Sequence, residues 1–125
     1  MDAGLTLSSK YVRQYANAEQ FRLAEMHLIR AEGNFREGTA LGLDPLVEIN
    51  TLRARSSAPD LGALTLDLIL NERELELGFE GFVLHDYKRT QRDIGGMPYD
   101  DNKLIFPIPQ SARDRNPLLS QNADY

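Results

Sequence analysis

Apolar side chains in the first half of the chain recur every three or four positions, the spacing of one buried helical face. The first such stretch predicts a helix over about residues 17–38, opened by a capping box of Asn17 and Gln20 and closed by Gly38. We expect Glu32 and Arg36 to pair one turn apart on this helix. Its predicted buried stripe consists of Phe21, Ala24, Leu28, Ala31 and Phe35.

A second helix is predicted over residues 45–55, because Asp44 followed by Pro45 is a strong start signal. Its inward side chains are Leu46, Ile49 and Leu52, and Arg53 and Arg55 close its last turn. The connection between the two helices is short, so we expect an antiparallel, tetratricopeptide-like helical hairpin.

The third predicted helix, over about residues 65–80, carries apolar side chains on two sides and charged side chains between them. Thr65 is its N-cap and Gly81 ends it. At about 100° per residue, one flank is formed by Leu68, Leu75 and Phe79, and the nearly opposite flank by Leu66, Leu70 and Leu77. Two apolar flanks predict a helix packed between two layers. A short fourth helix over residues 82–89 follows.

The pattern as a whole predicts an all-α fold, built as a single domain or fragment over residues 1–125. We expect a leader (1–16), a helical hairpin (17–55), a charged helix pair (64–90) and an irregular C-terminal segment (91–125). In the last segment, Pro107 and Pro109 bias the residues before them toward extended backbone.

Composition excludes several classes of function. The net charge of −5 and the pI of about 5.0 argue against nucleic acid as a partner, because phosphate binding needs a basic surface. The chain contains no cysteine, which excludes disulfides, thiolate zinc sites and cysteine nucleophiles. No apolar run has the length of a membrane span, and we expect neither a signal peptide nor a lipidated cysteine within this chain.

A ladder of carboxylates, Glu72, Glu76 and Glu80, is the strongest candidate for chemistry. One hypothesis makes it half of a metal site or an acid–base pair. The favoured hypothesis is an ion-pair network that ties the third helix to the fourth, because three carboxylates on one helix repel unless cations approach. The ion-pair candidates are Glu72, Arg73, Glu76, Glu80, Asp86, Lys88 and Arg89.

The two histidines, His27 and His85, show no arrangement for catalysis. His85 precedes Asp86, and adjacent residues on a helix diverge by about 100°, which argues against a His–Asp relay. No nucleophile stands beside a base. We therefore predict no catalytic residue, no metal site and no cofactor.

An ordered series of motifs resembles a known family. The motifs are FRLAEMHLIRAE at 21–32, INTLRAR at 49–55, ILNERELEL and FEG between 69 and 81, DYKRT at 86–90, NKLIFPIPQ at 102–110 and NP at 116–117. Together they resemble the C-terminal region of the SusD/RagB family of outer-membrane nutrient-binding lipoproteins from Bacteroidetes. The resemblance implies a non-catalytic role at the cell surface, where family members capture oligosaccharides or other nutrients and work with a SusC-like TonB-dependent transporter.

Full-length relatives are several times longer than this chain, and no ligand-contact residue can be carried over from them. After Gly81 the family commonly has a polar residue, an arginine and an aromatic, where this chain has Phe82, Val83 and Leu84. If the third helix is two-sided, one flank is exposed in this piece, and we expect self-association to cover it. Two other functions stay open: a helical-hairpin module that binds a protein surface, and a carboxylate-based metal enzyme or hydrolase using the ladder.

Overall fold

The computed structural model describes Lys10 and residues 21–125. The described residues contain five α-helices and no β-strand; an isolated bridge pairs Ile94 with Met97. The predicted all-α class is confirmed, and tetratricopeptide-like pairing is compatible with this arrangement. The helices are α1 (Leu23–Glu37), α2 (Pro45–Arg55), α3 (Leu66–Glu76), α4 (Phe82–Arg89) and α5 (Gln110–Arg115), with a 3₁₀-helix at Asn102–Leu104.

Helix α1 ends as predicted but begins differently. Gly38 adopts the left-handed conformation (φ 64°), and its N–H bonds to the Asn34 carbonyl, which is a glycine C-cap. The N-cap is Arg22, without a side-chain cap, and the capping box of Asn17 and Gln20 lies outside the described residues, as does the leader apart from Lys10. Phe21 precedes the helix and is 82% exposed, so its assignment to the buried stripe is wrong.

Helix α2 follows the local signals of the sequence. The carboxylate of Asp44 accepts hydrogen bonds from the backbone N–H groups of Leu46 and Val47, and Pro45 is the first helical residue. Of its predicted inward side chains, Ile49 is fully buried and Leu46 and Leu52 are half-buried. The loop before it is held by Asn34, whose amide group bonds to the Leu41 and Leu43 carbonyls and to the Leu41 N–H.

The core lies where α1 contacts both α2 and α3, which makes α1 the central helix. Its fully buried cluster consists of Leu28, Ala31, Ile49, Ile69 and Leu77. Half-buried Phe35, Leu52, Leu61, Leu64 and Phe82 pack around that cluster. Burying a side chain of the size of leucine or isoleucine contributes about 1.5–3 kcal/mol, so this cluster is the main apolar contribution to the stability of the helix bundle.

Helix α3 begins at its predicted cap, where the Thr65 hydroxyl accepts from the Leu68 N–H, but it ends at Glu76 and not at residue 80. The ammonium group of Lys10 donates to the Glu76 carbonyl (2.7 Å) and to the Gly78 carbonyl (2.8 Å). These carbonyls would otherwise accept the next helical hydrogen bonds. Phe79 then takes a positive φ of 66°, and the chain turns into α4.

Only one of the two apolar flanks of α3 is buried in the described part of the chain, so packing between two layers is not seen there, and the other flank is exposed as expected for this piece. The flank with Leu70 and Leu77 faces the core, together with Ile69. On the opposite flank, Leu75 is 74% exposed and Phe79 is 80% exposed. One side of α3 therefore packs on the described part of the chain, and the other side is a surface.

The C-terminal segment is held by side chains that bond to backbone groups. Gln121 pairs with both the N–H and the carbonyl of Ile108 (2.8 and 3.0 Å), and Asn122 donates to the Phe106 carbonyl (2.7 Å). The Tyr125 hydroxyl donates to the Lys103 carbonyl. Residues 106–109 form no regular secondary structure, and Ile105 before them is extended (φ −109°, ψ 129°). The tail satisfies backbone groups of this stretch through its side chains.

Candidate functional site

The carboxylate ladder forms one edge of an ion-pair network. Glu72 is paired with Arg53, and Glu76 contacts Nη2 of Arg22 at 2.7 Å and Nη2 of Arg55 at 2.5 Å. Glu80 is paired with Arg22 and, at 2.8 Å, with Lys10. The side chains of the three carboxylates are only 14–15% exposed. Each carboxylate is therefore held by at least one cation in a largely desolvated position.

The partners of the ladder differ from the expected ones. The sequence suggested that Arg73, Lys88 and Arg89 would neutralise it, but the cations that pair with it come from α2, from Arg22 before α1 and from Lys10. Lys88 forms no ion pair with the residues that the structure describes. The physical reason is topological, because the edge of α3 that carries the ladder faces α2 and the start of α1, on the side away from α4.

A second network joins α1, α3 and α4. Nε of Arg73 contacts Oδ2 of Asp86 at 3.1 Å, and Nε of Arg89 donates to Oδ1 of the same carboxylate at 2.7 Å. Arg89 continues to Glu32 with two parallel bonds of 2.6 and 2.7 Å, the bidentate geometry that guanidinium and carboxylate favour. Nε of Arg36 donates to Glu32 at 2.8 Å, which is the pair predicted one turn apart on α1.

In the second network, the pKa values of Glu32 and Arg89 are shifted in the directions that favour the charged form of each group. Burial alone would raise the pKa of Glu32, but the hydrogen bonds from Arg89 and Arg36 outweigh it, so the pKa of this carboxyl is lowered. The hydrogen bond to Glu32 raises the pKa of Arg89 in turn. Arg73 is 5% exposed, and its Nη1 has no hydrogen-bond partner in the described part of the chain.

A third cluster was missed by the sequence analysis. Glu48 is completely buried, accepts from Nε and Nη2 of Arg30 at 2.9 and 2.5 Å, and contacts Nδ1 of His27 at 2.6 Å. The hydrogen bond to Glu48 raises the pKa of Arg30. The available signal was the spacing of His27 and Arg30, which places two nitrogen donors on one edge of α1 beside the hairpin partner. His85 is exposed and Asp86 turns to the arginines, so the two do not form a relay.

An open groove lies between α1 and the helix pair α3–α4. Its volume is about 450 Å³, within the range of small-molecule sites. Its lining residues are Ile29, Glu32, Gly33, Arg36, Arg73 and Arg89. A smaller cavity of about 10 Å³, beside Arg73 and Tyr87, has room for about one water molecule.

The chemistry of these clusters is that of ion pairing. Among the described residues, no group of three or more histidine, aspartate or glutamate side chains is arranged to hold a metal ion. Guanidinium groups occupy the carboxylate oxygens that an acid–base pair would need. None of the helices in the described part is long and apolar enough to cross a membrane.

The fold is helical, and networks of ion pairs join its helices. Comparison with known proteins gives the family of the chain. The sequence model described as "SusD family" matches residues 5–125. The chain belongs to the SusD family, as the motifs suggested. No curated protein matches the chain.

Two solved structures from Bacteroides share the fold. A SusD-like protein from Bacteroides fragilis is 24% identical, with a TM-score of 0.56 over 82% of this chain and 25% of that one. A protein from Bacteroides vulgatus, described as a "Putative sugar binding protein", is 25% identical, with a TM-score of 0.68 over 84% of this chain and 28% of that one. The chain thus spans about a quarter of the length of these relatives.

Proposed function

We propose that this chain is the C-terminal part of a SusD-like cell-surface protein that binds a nutrient, most simply an oligosaccharide, without chemical conversion. The observation that carries the proposal is the family match over residues 5–125. The sugar-binding description of the Bacteroides vulgatus relative supports the choice of ligand class. In this proposal the protein lies at the outer membrane and delivers its ligand to a SusC-like TonB-dependent transporter.

The ion-pair networks support a scaffold role for the residues described. Glu72, Glu76 and Glu80 are engaged by arginine or lysine. A general acid or base instead needs a carboxyl group whose oxygens are free to reach the proton of a substrate. We therefore propose that the ligand contacts lie in other parts of a full-length protein and that the ladder fixes the positions of the helices.

Purification from the source cells tests the assignment to the transporter pathway. An affinity tag placed after Tyr125 would be used to recover the protein from the outer-membrane fraction, and the co-purifying proteins would be identified by mass spectrometry. A SusC-like transporter in stoichiometric amount is expected. Recovery from the soluble fraction without any transporter would contradict the proposal.

Calorimetric titration of this chain with a panel of oligosaccharides tests where the ligand site lies. We expect no saturable heat, because the carboxylates that could bond to sugar hydroxyls are occupied by cations. Tight binding by this chain alone would place the site within residues 1–125 and would overturn the scaffold assignment. Recovery of a shortened sugar would overturn the proposal that the ligand is bound without chemical conversion.

A helical-hairpin interaction module is the second candidate, and the exposed side of α1 favours it. Met26 and Ile29 are 42% and 50% exposed there, although they belong to a helix whose other side is fully buried. Such a module would co-purify a protein partner but no transporter. The tagged-protein experiment therefore distinguishes the two candidates.

A further inference from the structure

Two stretches of the C-terminal segment, residues 102–108 and 121–125, lie side by side in opposite directions. Hydrogen bonds join side chains of the later stretch to backbone groups of the earlier one: Tyr125 to the Lys103 carbonyl (3.1 Å), Asn122 to the Phe106 carbonyl (2.7 Å), and Gln121 to the carbonyl and the N–H of Ile108 (3.0 and 2.8 Å). As one stretch advances along the chain, its partners move back along the other. This is the order of contacts in a pair of antiparallel strands.

Side chains form these contacts in place of backbone groups. No backbone–backbone hydrogen bond joins the two stretches, both of which lie in the described part of the chain. The amide group of Gln121 offers one acceptor and a donor, as a peptide group does, and it uses both on Ile108. At the other end, the Asn102 amide donates to the Asp124 carboxylate at 2.9 Å. We call residues 121–125, bonded in this way to residues 102–108, the clasp.

The clasp lies apart from the buried core of the helices. None of residues 102–125 is buried. The helices that pack extensively on one another are α1 with α2, α1 with α3 and α3 with α4, and α5 belongs to none of these pairs. A segment with few buried apolar contacts opens at a lower free energy than the core does. The closed state of the segment therefore depends on the hydrogen bonds of the clasp.

We propose that the clasp opens and closes over residues 102–108 as one unit, independently of helices α1–α4. In the closed state, it occupies the N–H of Ile108 and carbonyls along the stretch. Opening frees these groups, and free backbone groups of an extended stretch can pair with a strand of another chain. Ile105 and Phe106 in this stretch are apolar and 46% and 86% exposed. The clasp thus controls whether the stretch is available for strand pairing.

Amide hydrogen exchange of Ile108, followed by NMR, tests whether the clasp is one unit. Tyr125→Phe removes only the hydroxyl that donates to Lys103, at the opposite end of the clasp from Ile108. If the clasp opens as a whole, this loss should speed exchange of the Ile108 amide about fivefold, the factor that corresponds to one typical hydrogen bond. Tyr99→Phe is the matched control, because the Tyr99 hydroxyl has no hydrogen-bond partner among the described residues, and it should leave the rate unchanged.

The dependence of exchange on urea tests whether the clasp is independent of the helices. At urea concentrations below the unfolding transition, exchange of the Ile108 amide should change little, whereas exchange of the buried Leu28 amide in α1 should speed up strongly. The reason is that sensitivity to urea scales with the surface that opening exposes. An unprotected Ile108 amide in the wild type, equal rates in Tyr125→Phe and Tyr99→Phe, or equal urea dependence of Ile108 and Leu28 would each overturn the proposal.

Discussion

Replacing Glu32 by glutamine removes the carboxylate that joins α1 to α4 while leaving the volume of the side chain. Glu32 is 6% exposed and accepts from Arg89 and Arg36, so the change leaves two guanidinium groups facing a neutral amide. Breaking a fully buried pair costs about 3–5 kcal/mol, and an exposed pair contributes about 0–1 kcal/mol. The arginine side chains are 41% and 43% exposed. We therefore expect a loss of about 1.5–3 kcal/mol, between these limits.

The assay is urea unfolding at neutral pH, followed by far-UV circular dichroism. In thermal unfolding, the same loss corresponds to a decrease of roughly 5–12 °C in Tm for a domain of this size. Glu37→Gln is the matched control, because Glu37 is an exposed carboxylate on the same helix, and its replacement should change stability by less than about 0.5 kcal/mol. Equal stability of Glu32→Gln and Glu37→Gln would show that Glu32 contributes no more to stability than a solvated charge.

Three further predictions follow from the same structure. The folded-state pKa of Glu32 is lowered from 4.5, so the stabilisation by its carboxylate is present above that pH and is lost as the pH falls. The difference in unfolding free energy between wild type and Glu32→Gln should therefore shrink when unfolding is measured at acid pH. A difference that is constant with pH would contradict the direction of the pKa shift. Leu28→Ala should cost about 2–5 kcal/mol in urea unfolding because it empties a fully buried site, and Leu75→Ala, at an exposed leucine, should cost less than about 0.5 kcal/mol. Asn34→Ala should speed hydrogen exchange of the Leu41 amide, because that N–H donates to the lost side chain, and unchanged protection would show that the loop is held by other contacts.

The features that sequence predicted correctly depend on residues close together in the chain. Asp44 and Pro45 start α2, and Gly38 ends α1, because a cap needs only its own turn of helix. The pair of Glu32 and Arg36 is local in the same sense. Fixed backbone geometry determines each of these contacts without reference to the rest of the fold.

The features that sequence did not predict depend on long-range packing. The carbonyl of Glu76 at the end of α3 accepts a hydrogen bond from Lys10, which is far away in sequence, so no pattern along α3 shows this partner. The cation for Glu72 comes from Arg53 on α2, and no periodicity along one helix shows which neighbour lies against its charged edge. Leu75 is an apolar residue of the kind that is often buried, but whether it is buried depends on which segments pack against its side of α3.

The carboxylate ladder of α3 holds neighbouring segments of the chain together through its ion pairs. The most direct measurement compares the free energies of unfolding of Glu76→Gln and Glu74→Gln, two carboxylate changes two positions apart on α3. Glu76 contacts Arg22 and Arg55, whereas the partner of exposed Glu74 is the neutral hydroxyl of Tyr87. We expect a loss of about 1–2 kcal/mol for Glu76→Gln and less than about 0.5 kcal/mol for Glu74→Gln. Equal effects of the two substitutions, or a stabilised Glu76→Gln, would show that the ladder does not hold these segments together.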